Sequence, residues 1–352
     1  MRTPIPLAVI GCRFGAHLAR ELKATPDARF RVQTVCDLNI DLARSLADEL
    51  GASAITDYRE ILDDTALPAV ALLTRPEGRA ALLHELIASG KDVITTKPFE
   101  IDAAAARQVL VEARRLGRVV HLNSPAAVVP DDLLTILEWE KRYDLGRPAY
   151  FFGSIHASYQ EAADGGWYDD PKRCPAAPIF RLGIYLINDV HTLWGATHSV
   201  RLLETRIRTG RPTADNAILS LAMENKAVGA IAASLCVQDG DPYRNSLQIS
   251  YERGTLYRNM GPQRTALSSE CELQLVQEVD GSRQIVATAL VQSNAHQYNW
   301  SAFAEDIVNR QPPSSSYIDR IVNGIETLDQ VTVEEQRLLS ALLPEIHQAN
   351  AR

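Results

Sequence analysis

Only six of the 36 basic side chains are lysines, and one of them, Lys97, stands directly before Pro98 just past the strand-like run Asp92-Val-Ile-Thr95. Ligands in open α/β sheets bind at the carboxyl ends of strands, so a lysine held there by a proline can enter a cleft. Partial desolvation lowers an ammonium pKa and lets the group move protons. A solvated strand-end lysine, as Lys91 would be, is the plainer alternative. A second chemical feature is Val9-Ile-Gly11-Cys-Arg13-Phe14-Gly15, where a strand hands over to a helix. Glycines at such a turn let backbone approach a pyrophosphate, and the helix N-terminus offers free N–H groups and partial positive charge. The spacing is G-x-x-x-G and lacks the middle glycine of the dinucleotide fingerprint. A tight turn without ligand would use the same residues, but its place in a βαβ unit favours a cofactor. Asp37 ends the next strand, 26 residues after Gly11. An acid there can accept both ribose hydroxyls and repels a 2′-phosphate, which points to NAD over NADP; a capping aspartate is the alternative.

Arg181 and Tyr185 lie four apart and share one face if helical. An arginine buried there needs an anion, either a protein acid such as Asp189 or Asp169 or an acid group on a substrate. Trp167-Tyr168 sits in a loop rich in glycine and proline, able to cover a cleft or merely be ordered. No histidine pair has metal-ligand spacing (His156, His191, His198 and His296 are scattered), so no metal is expected. No G-x-S-x-G elbow occurs. Arg201, Arg206, Arg208 and Arg211 form a basic run, with Arg206 and Arg208 on one strand face, read as solvated or intersubunit surface.

The elements that must position these groups alternate through the first 124 residues. Strand runs at Leu7–Ile10, Phe30–Cys36, Ala69–Leu73, Asp92–Thr95 and Val119–Leu122 are separated by helical stretches that stop at Gly51, Gly90 and Gly117, with Asp102 as an N-cap. That is a doubly wound parallel sheet. Beyond it, over 125–352, a helix from Asp131 leads to successive hairpin-spaced strands, a helical block from Leu182 to Trp194, and closing helices over His296–Arg310 and Tyr317–Gln348. This reads as an α+β domain with a large open, mostly antiparallel sheet, its final helices free to pack back on the first domain. Such a sheet has an apolar face to cover, so a homodimer or homotetramer is expected.

The chain has 352 residues, 46% apolar and 23% charged, with 44 acidic side chains and a formal charge of −8. That is globular composition, and its acidity argues against nucleic-acid binding. No apolar run approaches a membrane span, and the five scattered cysteines contain no C-x-x-C, so no membrane partner, a reducing compartment and a cytoplasmic location are expected.

Taken together and in order, these segments resemble the glucose–fructose oxidoreductase/inositol dehydrogenase (Gfo/Idh/MocA-type) family over nearly the whole chain. The match includes the Gly11–Gly15 turn, Asp37, Ala88–Pro98, Asn123, Asp144–Pro148, Leu182–Asp189 and Tyr251–Leu256. The resemblance implies a Rossmann domain and an oxidoreductase that moves a hydride between NAD and a hydroxyl or carbonyl carbon of a sugar, sugar acid or cyclitol. It implies catalysis by Lys97 and Tyr185. It implies cofactor contacts from Gly11, Arg13, Phe14, Gly15, Asp37, Thr74, Lys97 and Pro98. Substrate contacts fall to Lys97, Asn123, Trp167, Arg181, Tyr185, Asn188 and Asp189. Four positions depart from the family's pattern: Thr96 stands where Glu precedes the lysine, Arg181 where Asp is usual, Asn188 where a later Asp falls (Asp189 is next to it), and Tyr185 where His is usual. Some family members use a tyrosine at that last position. The alternative is a non-catalytic ligand- or cofactor-binding member of the same fold.

Overall fold

The computed structural model describes residues 3–24, 29–159, 161–208, 210–261, 270–292 and 298–349. The expected helix start at His296 lies outside them. The chain divides into two compact units, 1–128 with 297–322, and 129–296 with 323–352.

The first unit runs β1 (Ile5–Ile10), α1 (Cys12–Ala24), β2 (Phe30–Cys36), α2 (Ile40–Leu50), β3 (Ser53–Ile55), α3 (Arg59–Asp63), β4 (Ala69–Leu72), α4 (Arg79–Ala88), β5 (Asp92–Thr95), α5 (Ala103–Leu116) and β6 (Val120–Leu122). All six strands are parallel, in the order β3-β2-β1-β4-β5-β6. The order reverses between β1 and β4, which opens a crevice at their carboxyl ends. β4 and β5 are buried along their whole length, and β4 is the continuous apolar run expected of a strand with helices on both faces. Local signals set the ends: Asn39 caps α2, Asp102 accepts the Ala105 N–H to cap α5, and Gly51 and Gly117 end these helices in the left-handed conformation. β3 and α3 were not expected; three and five residues are too short to show a period. Lys91 is buried rather than solvated, with Nζ donating to the Asp64 carbonyl at 2.5 Å.

The second unit holds α6 (Asp131–Arg142), β7 (Pro148–Ala157), α7 (Ile184–Trp194), β8 (Thr197–Thr205), β9 (Asn216–Met223), β10 (Val228–Ser234), β11 (Tyr243–Tyr251), β12 (Gly254–Arg258), β13 (Glu270–Val279) and β14 (Ser282–Gln292). Its eight strands order as β14-β13-β12-β11-β7-β10-β9-β8, antiparallel except for the central β7–β10 pair. β8 stops at Thr205, short of the expected Arg208. The Asp215 carboxylate takes the N–H groups of Ile207 and Arg208, so the strand ladder cannot continue. Alternation along the strands buries Phe151, Ile231, Leu219 and Leu247 on one face, among the residues of α6 and α7. The register aligns Leu203, Ile218 and Ala232, and next to them Phe152, on the opposite face. There Leu203 is 68% and Phe152 56% exposed in the single chain.

The helices α8 (Trp300–Asn309) and the start of α9 (Ser315–Ala349) belong to the first unit. Phe303 stacks on Phe30 at 5.3 Å, His121 meets Asp306 at 2.8 Å, and the Leu122 N–H donates to the Tyr317 oxygen at 3.0 Å. No helix among the described residues is long and apolar enough to cross a membrane.

A buried ion triad ties the second sheet to its helices. Arg258 on β12 donates to Asp132 of α6 at 3.0 Å, to Asp189 of α7 at 2.7 Å and to Asn245 of β11 at 3.0 Å. Burial pushes the Asp189 carboxyl up, the Arg258 charge opposes this, and the Asp132 charge adds to it. Breaking a buried pair on one side leaves uncompensated charge and costs about 3–5 kcal/mol. Arg258→Met strands two buried carboxylates, so denaturant unfolding of this variant should show a loss in that range; a loss under about 1 kcal/mol would contradict the triad's role.

Candidate active site

In the first unit the expected cofactor residues gather on the carboxyl ends of β1, β2, β4 and β5. Gly11 has φ +95°, and a Cβ there would stand 2.8 Å from the Leu73 carbonyl oxygen. Gly15, one turn on, faces Val9 and Leu73, where a Cβ would lie 3.0 Å from Val9 Cγ1, so α1 can start close against the sheet. Arg13 stands where the middle glycine would be expected; Cys12 before it turns its side chain inward and is buried. Burial first, then the Asp37 charge, pushes the Cys12 thiol up to about 12; Cys36 rises to about 11 for the same reasons. Both thiols are therefore protonated and unreactive at neutral pH. Arg13 and Phe14 face outward, with the Phe14 ring 6.4 Å from Tyr298.

Asp37 Oδ2 accepts the Cys12 N–H at 2.7 Å and Oδ1 accepts the Asn39 N–H at 2.9 Å. One carboxylate is thus braced against the start of α1, half-buried, with lone pairs to spare. Next to Gly11, the Thr74 hydroxyl is buried with no hydrogen-bond partner among the described residues. A close-approach glycine, the first N–H groups of α1, an oriented carboxylate and an orphaned hydroxyl together fit a dinucleotide.

Lys97 follows β5 and is half-buried. Its N–H donates to Asn123 Oδ1 at 3.2 Å, and the Lys97–Pro98 peptide is cis. Asn123, expected to touch substrate, is itself buried beneath the turn and supports Lys97. Two residues that the sequence did not single out pin this turn. Arg79, the first residue of α4, donates to the carbonyls of Thr74, Thr96 (2.6 Å), Pro98 and Phe99 (3.0 Å). Glu100 accepts the N–H groups of Gly78, Ala80 and Ile101 at 3.2, 2.7 and 2.8 Å.

In the second unit, the expected helix start at Leu182 falls within a π-helix, Ile179–Gly183, which continues into α7. Such wide turns cluster at functional sites. Arg181 lies in it, only 6% exposed, and Tyr185 is half-buried one turn on. The anion that meets Arg181 is Glu161, which receives Nη2 on both oxygens at 3.0 and 2.8 Å, rather than Asp189 or Asp169. Asp189 is committed to Arg258, and Asp169 pairs with Arg211 at 3.2 Å. Arg211 also reaches Glu161 at 3.1 Å and is buried, so it does not belong to a solvated basic face. The Arg181 guanidinium lies over the rings of Tyr159 and Tyr168, 4.7 and 4.0 Å from their centroids. These contacts tie the loop bearing Trp167 and Tyr168 to the π-helix. Asn188 is buried with its amide oxygen directed at Gly324 of α9, where a Cβ would stand at 2.5 Å. Asn188 and Asp189, expected at a substrate, thus pack inside the second unit. No set of three His, Cys, Asp or Glu placed to hold a metal ion is found among the described residues.

Comparison with known proteins identifies the family. The family model for the oxidoreductase NAD-binding Rossmann fold matches residues 5–124, and the GFO/IDH/MocA C-terminal domain model matches 134–257. No curated protein matches the chain by sequence. Among solved structures, GenD2 from gentamicin A biosynthesis in complex with NAD is 18% identical, with 96% of this chain and 95% of that one covered and a TM-score of 0.72. KijD10, a 3-ketoreductase from Actinomadura kijaniata in complex with NADP, is 17% identical over 94% and 98% of the two chains, TM-score 0.70. Levoglucosan dehydrogenase in complex with NADH and L-sorbose is 15% identical over 94% and 97%, TM-score 0.70. At these identities the likeness is one of fold; the two family models together cover most of the chain, and the protein belongs to the GFO/IDH/MocA oxidoreductase family.

Proposed function

We propose that the protein is an NAD-dependent oxidoreductase acting on a hydroxyl or carbonyl carbon of a sugar or cyclitol. The observation that carries this reading is the half-buried Lys97, pinned at a strand end of the same sheet whose β1 ends in the close-packed, positive-φ Gly11. The complexes of fold relatives with NAD, NADP and L-sorbose support it as analogy. Gly11, Gly15 and the start of α1 would hold the pyrophosphate, with Thr74 beside them. Asp37 would take the adenosine ribose. When bound, the nicotinamide supplies the hydride acceptor or donor. The chain's own work is to orient the substrate and manage a proton: the Lys97 amine hydrogen-bonds the reacting oxygen, removes its proton in oxidation and returns it in reduction. Tyr185 is the second proton-handling group we propose.

Arg181 supports no requirement for an acidic substrate, because Glu161 already meets its charge. A neutral polyol is therefore the preferred class, and the sugar-acid reading gives way to it. We infer further that the exposed apolar sheet face carrying Phe152, Leu203 and Ile218 joins copies into a homodimer or homotetramer, since a contiguous patch of this kind costs free energy in water.

Lys97→Ala should lower turnover by about 10²–10⁴ while the NADH dissociation constant changes less than about threefold; retention of more than roughly a tenth of wild-type turnover would remove Lys97 from the mechanism. NAD(H) should bind more tightly than NADP(H), and Asp37→Ala should narrow the ratio. Nicotinamide fluorescence titrations read both, and equal or tighter NADP(H) binding by the wild type is the contrary result. Light scattering at micromolar concentration should give a dimer or tetramer mass, and a monomer would refute the assembly.

A further inference from the structure

The α4 arginine is an unusual use of charge. Arg79 is 1% exposed, among the largest fully buried side chains. Its Nη1 alone donates to the carbonyls of Thr96 and Pro98, the residues on either side of Lys97, and to Phe99. Its Nη2 donates to the Thr74 carbonyl at the end of β4. One planar, permanently charged fork therefore spans the Lys97 backbone and fastens it to the neighbouring strand end. The grip is reciprocal. Glu100, three residues past Lys97, accepts the Gly78 and Ala80 N–H groups that flank Arg79 at the start of α4. Asn123 holds the Lys97 N–H from the β6 side.

We propose that Arg79 is a positioning residue that sets the Lys97 amine, and through Thr74 the edge of the dinucleotide crevice, without touching substrate. This rests on the reading of Lys97 as the proton-handling group. An apolar side chain of similar length leaves four carbonyls without their donor. A lysine keeps the charge but is a point donor that cannot reproduce the fork. The backbone around Lys97 should then sample several arrangements, and a misplacement on the order of 1 Å at a reacting group costs about 10²-fold in rate.

The test uses Arg79→Met and Arg79→Lys in the full-length protein, with Lys97→Ala as control. The first readout is hydrogen exchange of the segment 96–101, which needs no substrate. It should speed up by about tenfold or more in Arg79→Met and less in Arg79→Lys, with β4 and β6 unchanged. The second is turnover on a panel of neutral sugars and cyclitols, expressed per NADH-binding site counted by fluorescence. kcat should fall by at least about tenfold in Arg79→Met, with KM within about threefold and partial recovery in Arg79→Lys. If Arg79→Met does not yield folded protein, Arg79→Lys carries both readouts, with at least about a threefold change expected in each. Unchanged exchange over 96–101 in a folded variant overturns the clamp. Faster exchange with kcat per site above half of wild type overturns its link to catalysis. If Lys97→Ala stays active, the functional reading fails by itself, and exchange still decides the clamp.

Discussion

A guanidinium taken out of water must find acceptors in the protein, and much of this molecule is arranged around that demand. Thirty of the 36 basic residues are arginines, and several are buried. Arg258 meets two aspartates and an asparagine and so binds α6 and α7 to the second sheet. Arg181 and Arg211 converge on Glu161, and that convergence brings the Trp167 loop down onto the π-helix. Arg79 meets carbonyl oxygens and thereby fastens two strand ends. In each place a five-donor planar fork does what a lysine's point charge cannot: it holds several chain segments at once at defined angles.

The fold was legible because it follows from periodicity. The run at Ala69 is continuous and apolar because both faces of its strand are covered, and the glycines and Asp102 mark the helix ends. The later strands alternate because only one face of their sheet is covered by helices of the same unit. The strand-end positions of Gly11, Asp37 and Lys97 follow from that pattern together with the rule that ligands enter at carboxyl ends.

What stayed hidden was pairing over long separations. Glu161 lies 20 residues from Arg181 in an irregular loop, and no period connects them. Asp132 and Arg258 are 126 residues apart. One signal was available at Arg258: it follows Leu256 by two residues on β12, and the inward face of a strand recurs every second position, so a charged side chain there had to be buried and paired. Arg79 gave no such signal, since an arginine at the first position of a surface helix is ordinary. The assignment of Asn123, Asn188 and Asp189 to substrate came from family likeness, and it did not foresee that Asn123 accepts the Lys97 N–H or that Asp189 pairs with Arg258.

The central claim is that the β1 turn, despite Arg13 in place of a middle glycine, admits a nicotinamide dinucleotide. A fluorescence titration of the wild-type protein with NADH, run beside Gly11→Ala, addresses it without knowledge of the substrate. The account predicts a saturable change in nicotinamide emission for the wild type and its loss in the variant, whose added Cβ would meet the Leu73 carbonyl at 2.8 Å in a backbone conformation that suits only glycine. No saturable change in the wild type, or the same curve in both proteins, would contradict it.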